Sequence, residues 1–245
     1  MPDLPCHPPL PLAWGNHALF LDFDGVVAPI VSRPEDVVVA PETLRLVEAL
    51  IERTEGAVAM ISGRALENLR SVTGDPAVWM SGSHGLEIKR ADGTVEETAP
   101  GAALTAPHDT LADFAARHDL LLERKPGALA LHYRGRDDLE AACRGAVDSA
   151  AASEGLRALH GNKVSEVALA GVDKGTALRR LMEEAPFRDR IPVMIGDDVT
   201  DEDGFVAAQD LGGFGLRIGT VETAARYRVD RMQQAHDWLR ATLSD

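Results

Sequence analysis

The texture of the chain predicts an α/β fold on a parallel sheet, with a second, α+β domain inserted into it. Apolar runs ending at Leu21, Ile61 and Ile195 each pass straight into a loop of small or acidic residues, as buried strands of a parallel sheet do at their carboxyl ends. From residue 86 to 170 that texture gives way to short strands joined by turns, with two alanine-rich helical patterns between them, the mark of an antiparallel α+β unit. The first texture resumes at Asp173. The expected division is a lead-in over 1–17, a core of 18–85 and 171–245, and an insert over 86–170.

The first strand covers Ala18 to Leu21 and ends in Asp22-Phe23-Asp24-Gly25. Residues 28–41 hold three prolines with Glu35 and Asp36, which suits an irregular segment beside that loop. Leu44, Val47, Leu50 and Ile51 then recur at helical spacing, and Gly56 stands where a helix stop belongs. Residues 57–61 form a short apolar strand that runs into Ser62-Gly63-Arg64 and a helix over 65–72, and another strand is expected over 78–81. Within the insert, strands are expected over 86–89, 120–124, 128–133 and 164–169, and helices over 107–118 and 137–154. Pro126-Gly127 suits a hairpin turn. After Asp173-Lys174-Gly175 come a helix over 176–184, a strand over 192–195, one more over 213–218 and a closing helix over 232–243.

The 245 residues suffice for a large core. The formal charge of −14 argues against nucleic-acid or anionic-membrane partners, which demand clustered Lys and Arg. Cys6 and Cys143 are far apart and form no CxxC, so neither a disulfide framework nor a zinc site is suggested, and a cytoplasmic protein is the simplest reading. The first 14 residues are proline-rich and lack a basic flank before an apolar core, unlike a signal peptide. No apolar run is long enough to span a bilayer. His84, His132 and His160 offer no ligand pair on one helix face and are expected in core or loops, and Trp14, Trp79 and Trp238 in packing.

If the three strands lie side by side, their loops meet at one sheet edge. Asp22 and Asp24 can share a face if the extended geometry lasts that far. Two carboxylates held close call for a cation or a shared proton, and the loop Asp197-Asp198-Val199-Thr200-Asp201-Glu202-Asp203 would add a further carboxylate. Converging carboxylates make a hard-oxygen site suited to Mg2+. Ser62, with the amides of Gly63 and Arg64 at a helix start, can receive a phosphate, and Lys174 at another helix start wants an anion nearby, because the dipole disfavours positive charge there. Taken singly, each has an ordinary alternative: a solvated turn, a charged helix start, a Ser-Gly cap, a solvated lysine.

In combination and in this order, Asp-x-Asp after one strand, Ser after the second, Lys at a later helix start and an acidic loop after the last resemble the haloacid dehalogenase superfamily of phosphotransferases. The resemblance implies a Rossmann-like core with a parallel sheet and helices on both faces, and an α+β cap domain of type C2 in the place of the insert. Leu21-Asp22-Phe23-Asp24-Gly25, Ile61-Ser62-Gly63-Arg64, Gly82-Ser83-His84-Gly85-Leu86-Glu87, Leu131-His132-Tyr133-Arg134 and Gly196 to Asp203 are similar, more narrowly, to the trehalose-phosphate phosphatases, from about Ala18 to Leu243. Val26 and Val27 depart from that family's pattern, and both changes conserve volume.

The resemblance implies hydrolysis of trehalose 6-phosphate. Asp22 would be the nucleophile and Asp24 the proton donor and acceptor. Mg2+ would be held by Asp22, the Asp24 carbonyl and Asp197, with Asp198 and Asp201 supporting. Ser62 and Lys174 would hold the phosphate beside Gly63 and Arg64, and Glu123, Lys125, Arg134 and Glu166 of the insert would hold the sugar. The expected partner is a small sugar phosphate and the expected state a monomer. Sucrose- or mannosylglycerate-phosphate phosphatases, a mutase and a non-catalytic sensor are the competing readings.

Overall fold

The computed structural model describes residue 12 and residues 14–31, 36–97, 102–161 and 163–243. Most of the proline-rich lead-in, Cys6 and Glu35 lie outside these. The chain forms two compact units, residues 1–96 with 173–245, and residues 97–172.

In the first unit, eight strands make one sheet. In chain order they are β1 (His17–Asp22), β2 (Val58–Ile61), β3 (Trp79–Gly82), β4 (Glu87–Lys89), β5 (Val95–Glu97), and, after the second unit with its own four strands, β10 (Ile191–Gly196), β11 (Phe214–Ile218) and β12 (Tyr227–Val229). Their order across the sheet is β12-β11-β10-β1-β2-β3-β4-β5. β1 pairs in parallel with β10 on one side and β2 on the other. The strand order reverses at β1, and the loops after β1, β2 and β10 therefore open side by side.

Alternation along the strands sorts the core into two layers. Leu19 and Leu21 of β1 join Val58, Met60, Val193 and Ile195 under α1 (Pro41–Arg53), α2 (Leu66–Thr73) and α7 (Met232–Leu243). Ala18 and Phe20 join Ala59, Ile61 and Met194 under α5 (Lys174–Met182) and α6 (Glu202–Asp210). Asp22 continues the second series, so the pleat turns its carboxylate toward the side on which α5 begins.

The second unit holds α3 (Thr105–His118) and α4 (Glu140–Ala150) and a four-stranded antiparallel sheet of β6 (Leu121–Lys125), β7 (Ala128–His132), β8 (Leu156–Gly161) and β9 (Val164–Leu169), in the order β6-β7-β9-β8. Its core is Leu111, Ala115, Leu129, Leu131, Tyr133, Cys143, Val147 and Val167. The two-residue turn at Pro126-Gly127 joins β6 to β7, as expected.

The boundaries depart from the sequence reading in three places. Residues 86–89 belong to the first sheet: β4 pairs antiparallel with β3, Ser81 opposite Ile88, so Ile88 fills the core beside Ala59 and Trp79. The insert therefore starts at 97, after β4 and β5. At the amino end, Trp14 is buried, its indole N–H donating to the Thr242 carbonyl at 2.8 Å, so the packed chain begins before residue 18. The helix expected over 137–154 is shorter; α4 ends at Ala150, and β8, unforeseen, follows it.

Trp79 and Trp238 are also buried. No helix among the described residues is long and apolar enough to cross a membrane.

Candidate active site

Asp22 is the last residue of β1 and is only 4 % exposed. The chain turns at Phe23, closing a tight loop in which the amides of Val27 and Ala28 donate to the Phe23 carbonyl and that of Gly25 to Ala28. Gly25 holds φ +81°, and a Cβ there would stand 2.3 Å from the Asp197 carboxylate. Glycine is thus the residue that lets the two loops close on each other. Gly196 does the same inside the acidic loop, where a Cβ would meet Asp201 at 2.2 Å.

Lys174 is the first residue of α5, whose cap is a reciprocal box between Asp173 and Thr176. Its ammonium is buried and donates to Asp22 Oδ1 at 2.7 Å and Asp201 Oδ1 at 2.6 Å. Burial alone would depress this lysine; the two carboxylates in contact outweigh it and hold the pKa above the ordinary lysine range. Burial pushes the Asp22 carboxyl well up, and Asp201 adds to this against the opposing pull of Lys174. The other Asp201 oxygen accepts from the amides of Asp197 and Asp198, at 2.9 and 2.8 Å. Asp201 therefore acts as the brace that ties Lys174 to the acidic loop.

Asp197, half-buried, has its pKa raised to about 6, first by burial and then by Asp201 and Asp198. One oxygen from each of Asp22, Asp197 and Asp201 lies within 4.8 Å of the others. Three carboxylates gather about one ammonium there, so their full ionisation leaves the cluster with an excess of negative charge. An all-oxygen set with that excess fits a hard divalent cation. Asp198 points elsewhere: its side chain accepts from the Val199 amide, and its carbonyl from Arg217, a buried residue of β11 that also pairs with Glu202. The Arg217 brace was not legible from the sequence, because nothing local marks a buried arginine at a strand end.

Ser62 follows β2 and is buried. Its hydroxyl accepts from the Arg64 amide at 3.1 Å, and the Leu66 amide, first in α2, donates to Glu87, which also accepts from Ser83. Of the two amides expected to receive a phosphate, that of Arg64 thus already has a partner in Ser62. The Arg64 guanidinium, about which the sequence makes no separate statement, grips both oxygens of Asp24, at 2.6 and 2.7 Å. Arginine's planar fork matches a carboxylate's two oxygens, and Asp24 is the carboxylate within reach. The Asp24 side chain consequently stands apart from the Asp22, Asp197 and Asp201 cluster.

In the second unit, Glu123, Ala130 and Glu166 sit opposite one another across β6, β7 and β9. By alternation they occupy the face away from the Leu129, Leu131 and Val167 core. Lys125 donates to Glu166 at 2.7 Å, and His132 pairs with Glu123 at 2.9 Å. Arg134 lies exposed in the turn after β7, outside this row. His132, expected to be a packing or loop residue, shares the charged face.

A family model described as trehalose-phosphatase matches residues 20–233. The chain is 33% identical over 230 residues to the trehalose-6-phosphate phosphatase of Escherichia coli, covering 91% of this chain and 85% of that one. Its fold is that of the C-terminal domain of the Candida albicans trehalose-6-phosphate phosphatase, with a TM-score of 0.79, 22% identity and coverage of 94% and 92%. It is also that of a haloacid dehalogenase-like hydrolase from B. subtilis, with a TM-score of 0.67, 13% identity and coverage of 91% and 98%. With its reversed strand order, its buried aspartate at the switch point and a match over most of its length, this chain belongs to the trehalose-phosphatase family.

Proposed function

We propose that this protein hydrolyses trehalose 6-phosphate to trehalose and inorganic phosphate through a phosphoryl group carried on Asp22. The observation that carries this reading is the buried Asp22 carboxylate at the end of β1, with one oxygen held by Lys174 and Asp197 facing it across Gly25. A nucleophile needs such fixing, because splitting the displacement into two steps helps only if the attacking oxygen is aimed.

In the first step an Asp22 oxygen bonds to phosphorus. The bond from phosphorus to the sugar oxygen breaks, its electron pair stays on that oxygen, and Asp24 supplies the proton. In the second, water attacks the same phosphorus, the bond to Asp22 breaks, and Asp24 takes the proton from the water. Lys174 compensates charge on Asp22 and on the transferring oxygens, and the Ser62 hydroxyl donates to one of them. Mg2+, held by Asp22, Asp197 and the Asp24 carbonyl, would screen the nucleophile from the anionic phosphate. Asp201 and Asp198 keep the acidic loop in shape. The sugar is assigned to the insert, where Glu123 and Glu166 accept from hydroxyls and Lys125 and Arg134 donate to them.

The test is time-dependent phosphate release from trehalose 6-phosphate, sucrose phosphate and mannosylglycerate phosphate, with and without a chelator. Fastest release from the trehalose ester, its loss on chelation and its abolition in Asp22→Asn support the reading. An isomerised sugar phosphate without free phosphate, or undiminished turnover in Asp22→Asn, overturns it.

A further inference from the structure

We propose that Arg64 is the positioning residue for the proton-transferring carboxylate, Asp24, and not a ligand of the substrate phosphate. This rests on the reading of Asp24 as acid and base. The Arg64 side chain is 11 % exposed, and its Nε and Nη2 donate to the two Asp24 oxygens in the side-by-side geometry that fixes a carboxylate in both direction and plane. Arg64 is itself held. Its Nη1 donates to Asn68 Oδ1 at 2.7 Å one turn along α2, its guanidinium carbon lies 5.3 Å from the Phe23 ring centre, and its amide is tied to Ser62.

Asp24 has no comparable support of its own. It sits in the turn after β1, its side chain is 36 % exposed, and among the described residues only Arg64 donates to its carboxylate. An exposed carboxylate on a turn samples several rotamers; a bidentate partner anchored on a different strand loop selects one. The pair therefore joins the loop after β2 to the loop after β1 through the group that moves the proton. A lysine cannot replace this, since a single ammonium does not define the plane of a carboxylate.

The role predicts a dependence on the leaving group. A sugar alkoxide needs a proton as it departs, whereas 4-nitrophenolate does not, so loss of Asp24 positioning slows phosphoryl transfer from poor leaving groups and spares good ones. The experiment measures wild type, Arg64→Ala, Arg64→Lys and Asn68→Ala on a series of aryl phosphates of graded leaving-group pKa, and on trehalose 6-phosphate, by burst and steady-state kinetics. In Arg64→Ala, kcat on trehalose 6-phosphate is expected to fall about 10- to 100-fold with KM within about twofold, as part of the contribution of acid catalysis is lost. The burst with 4-nitrophenyl phosphate stays within about threefold, and the rate falls more steeply with leaving-group pKa than in wild type. Added guanidinium restores part of the loss in Arg64→Ala, and Arg64→Lys resembles Arg64→Ala. Asn68→Ala, which keeps Arg64 but loosens it, shows the same leaving-group signature at smaller size, and carries the test if Arg64→Ala does not fold.

A rise in KM on every substrate, together with weaker inhibition by inorganic phosphate and unchanged kcat, would make Arg64 a phosphate ligand and overturn the proposal. So would an unchanged leaving-group dependence in both variants. The aryl series reads Arg64 even if the natural sugar is another one, whereas failure of wild type on trehalose 6-phosphate alone counts against the proposed substrate only.

Discussion

Asp197 shows how a single residue can be costly for the fold and, on the proposed reading, needed at the site. Its carboxyl is raised to about 6 by burial and by Asp201 and Asp198, so the folded chain prefers it protonated, and ionisation opposes folding. A group raised in this way lends stability below its unfolded value of about 3.9, and that stability is lost as pH rises through about 6. Asp197→Asn removes the penalty. In chelated protein at pH 8 the variant is expected to melt about 2–4 °C higher than wild type, for roughly 1 kcal/mol after discounting for solvent screening. The gap closes below about pH 4, where wild type is neutral too; turnover is lost at every pH. Thermal melts at the two pH values check this, and a variant no more stable than wild type at pH 8 contradicts it. Lys174 is the opposite case. Its charge is fully employed between Asp22 and Asp201, and the oddity of a lysine at a helix start is resolved by two anions that the sequence places 152 and 27 residues away.

At the scale of elements, α5 and α7 each hold part of the site in place. The Asp173–Thr176 box fixes where α5 begins and hence where the Lys174 stem leaves the backbone. Asp173→Ala should cost about 1 kcal/mol of stability, as cap losses do, and lower kcat more than it changes KM. Denaturant melts and kinetics on the same samples test both halves of this. Helix α7 reaches the turn after β1 through His236, whose Nε2 donates to the Val26 carbonyl at 2.7 Å. Burial holds the His236 pKa below its ordinary value, against the raising effect of that hydrogen bond. The folded chain thus binds this proton less readily than the unfolded one, and stability present above about pH 6.5 drains away as pH falls through the folded value. His236→Gln keeps a donor without a titration, so the drop in melting temperature from pH 7 to pH 5 should shrink in the variant. An equal drop in both would show that His236 does not contribute to the acid limb.

For the whole molecule, the two units carry separable tasks on the proposed reading. Glu123→Ala should raise KM for trehalose 6-phosphate, by the roughly 1–3 kcal/mol that a buried hydrogen bond to a sugar is worth, and leave hydrolysis of a small aryl phosphate nearly unchanged. Parallel loss on both substrates would refute a sugar-selecting role. The order of motifs and the strand-to-loop transitions at Leu21, Ile61 and Ile195 already implied the α/β core, its insert and the group Asp22, Ser62, Lys174 and Asp197, because buried strands and small-residue loops write themselves locally in hydrophobic pattern. Short edge strands were less legible. β4 and β5 have three residues each, too few for a pattern to say which sheet they join; pairing with β3 brings β4 into the first sheet, and β5 follows beside β4 at its edge. The direction of side chains was not legible at all. Spacing gave Asp22 and Asp24 a common face, but the turn at Phe23 ends the strand alternation, so one carboxylate meets Lys174 and the other Arg64. Local chemistry was enough to name the candidate groups. Which charge holds which is a matter of three-dimensional proximity, settled only when loops far apart in the chain close at one sheet edge and each buried ion must find its partner there.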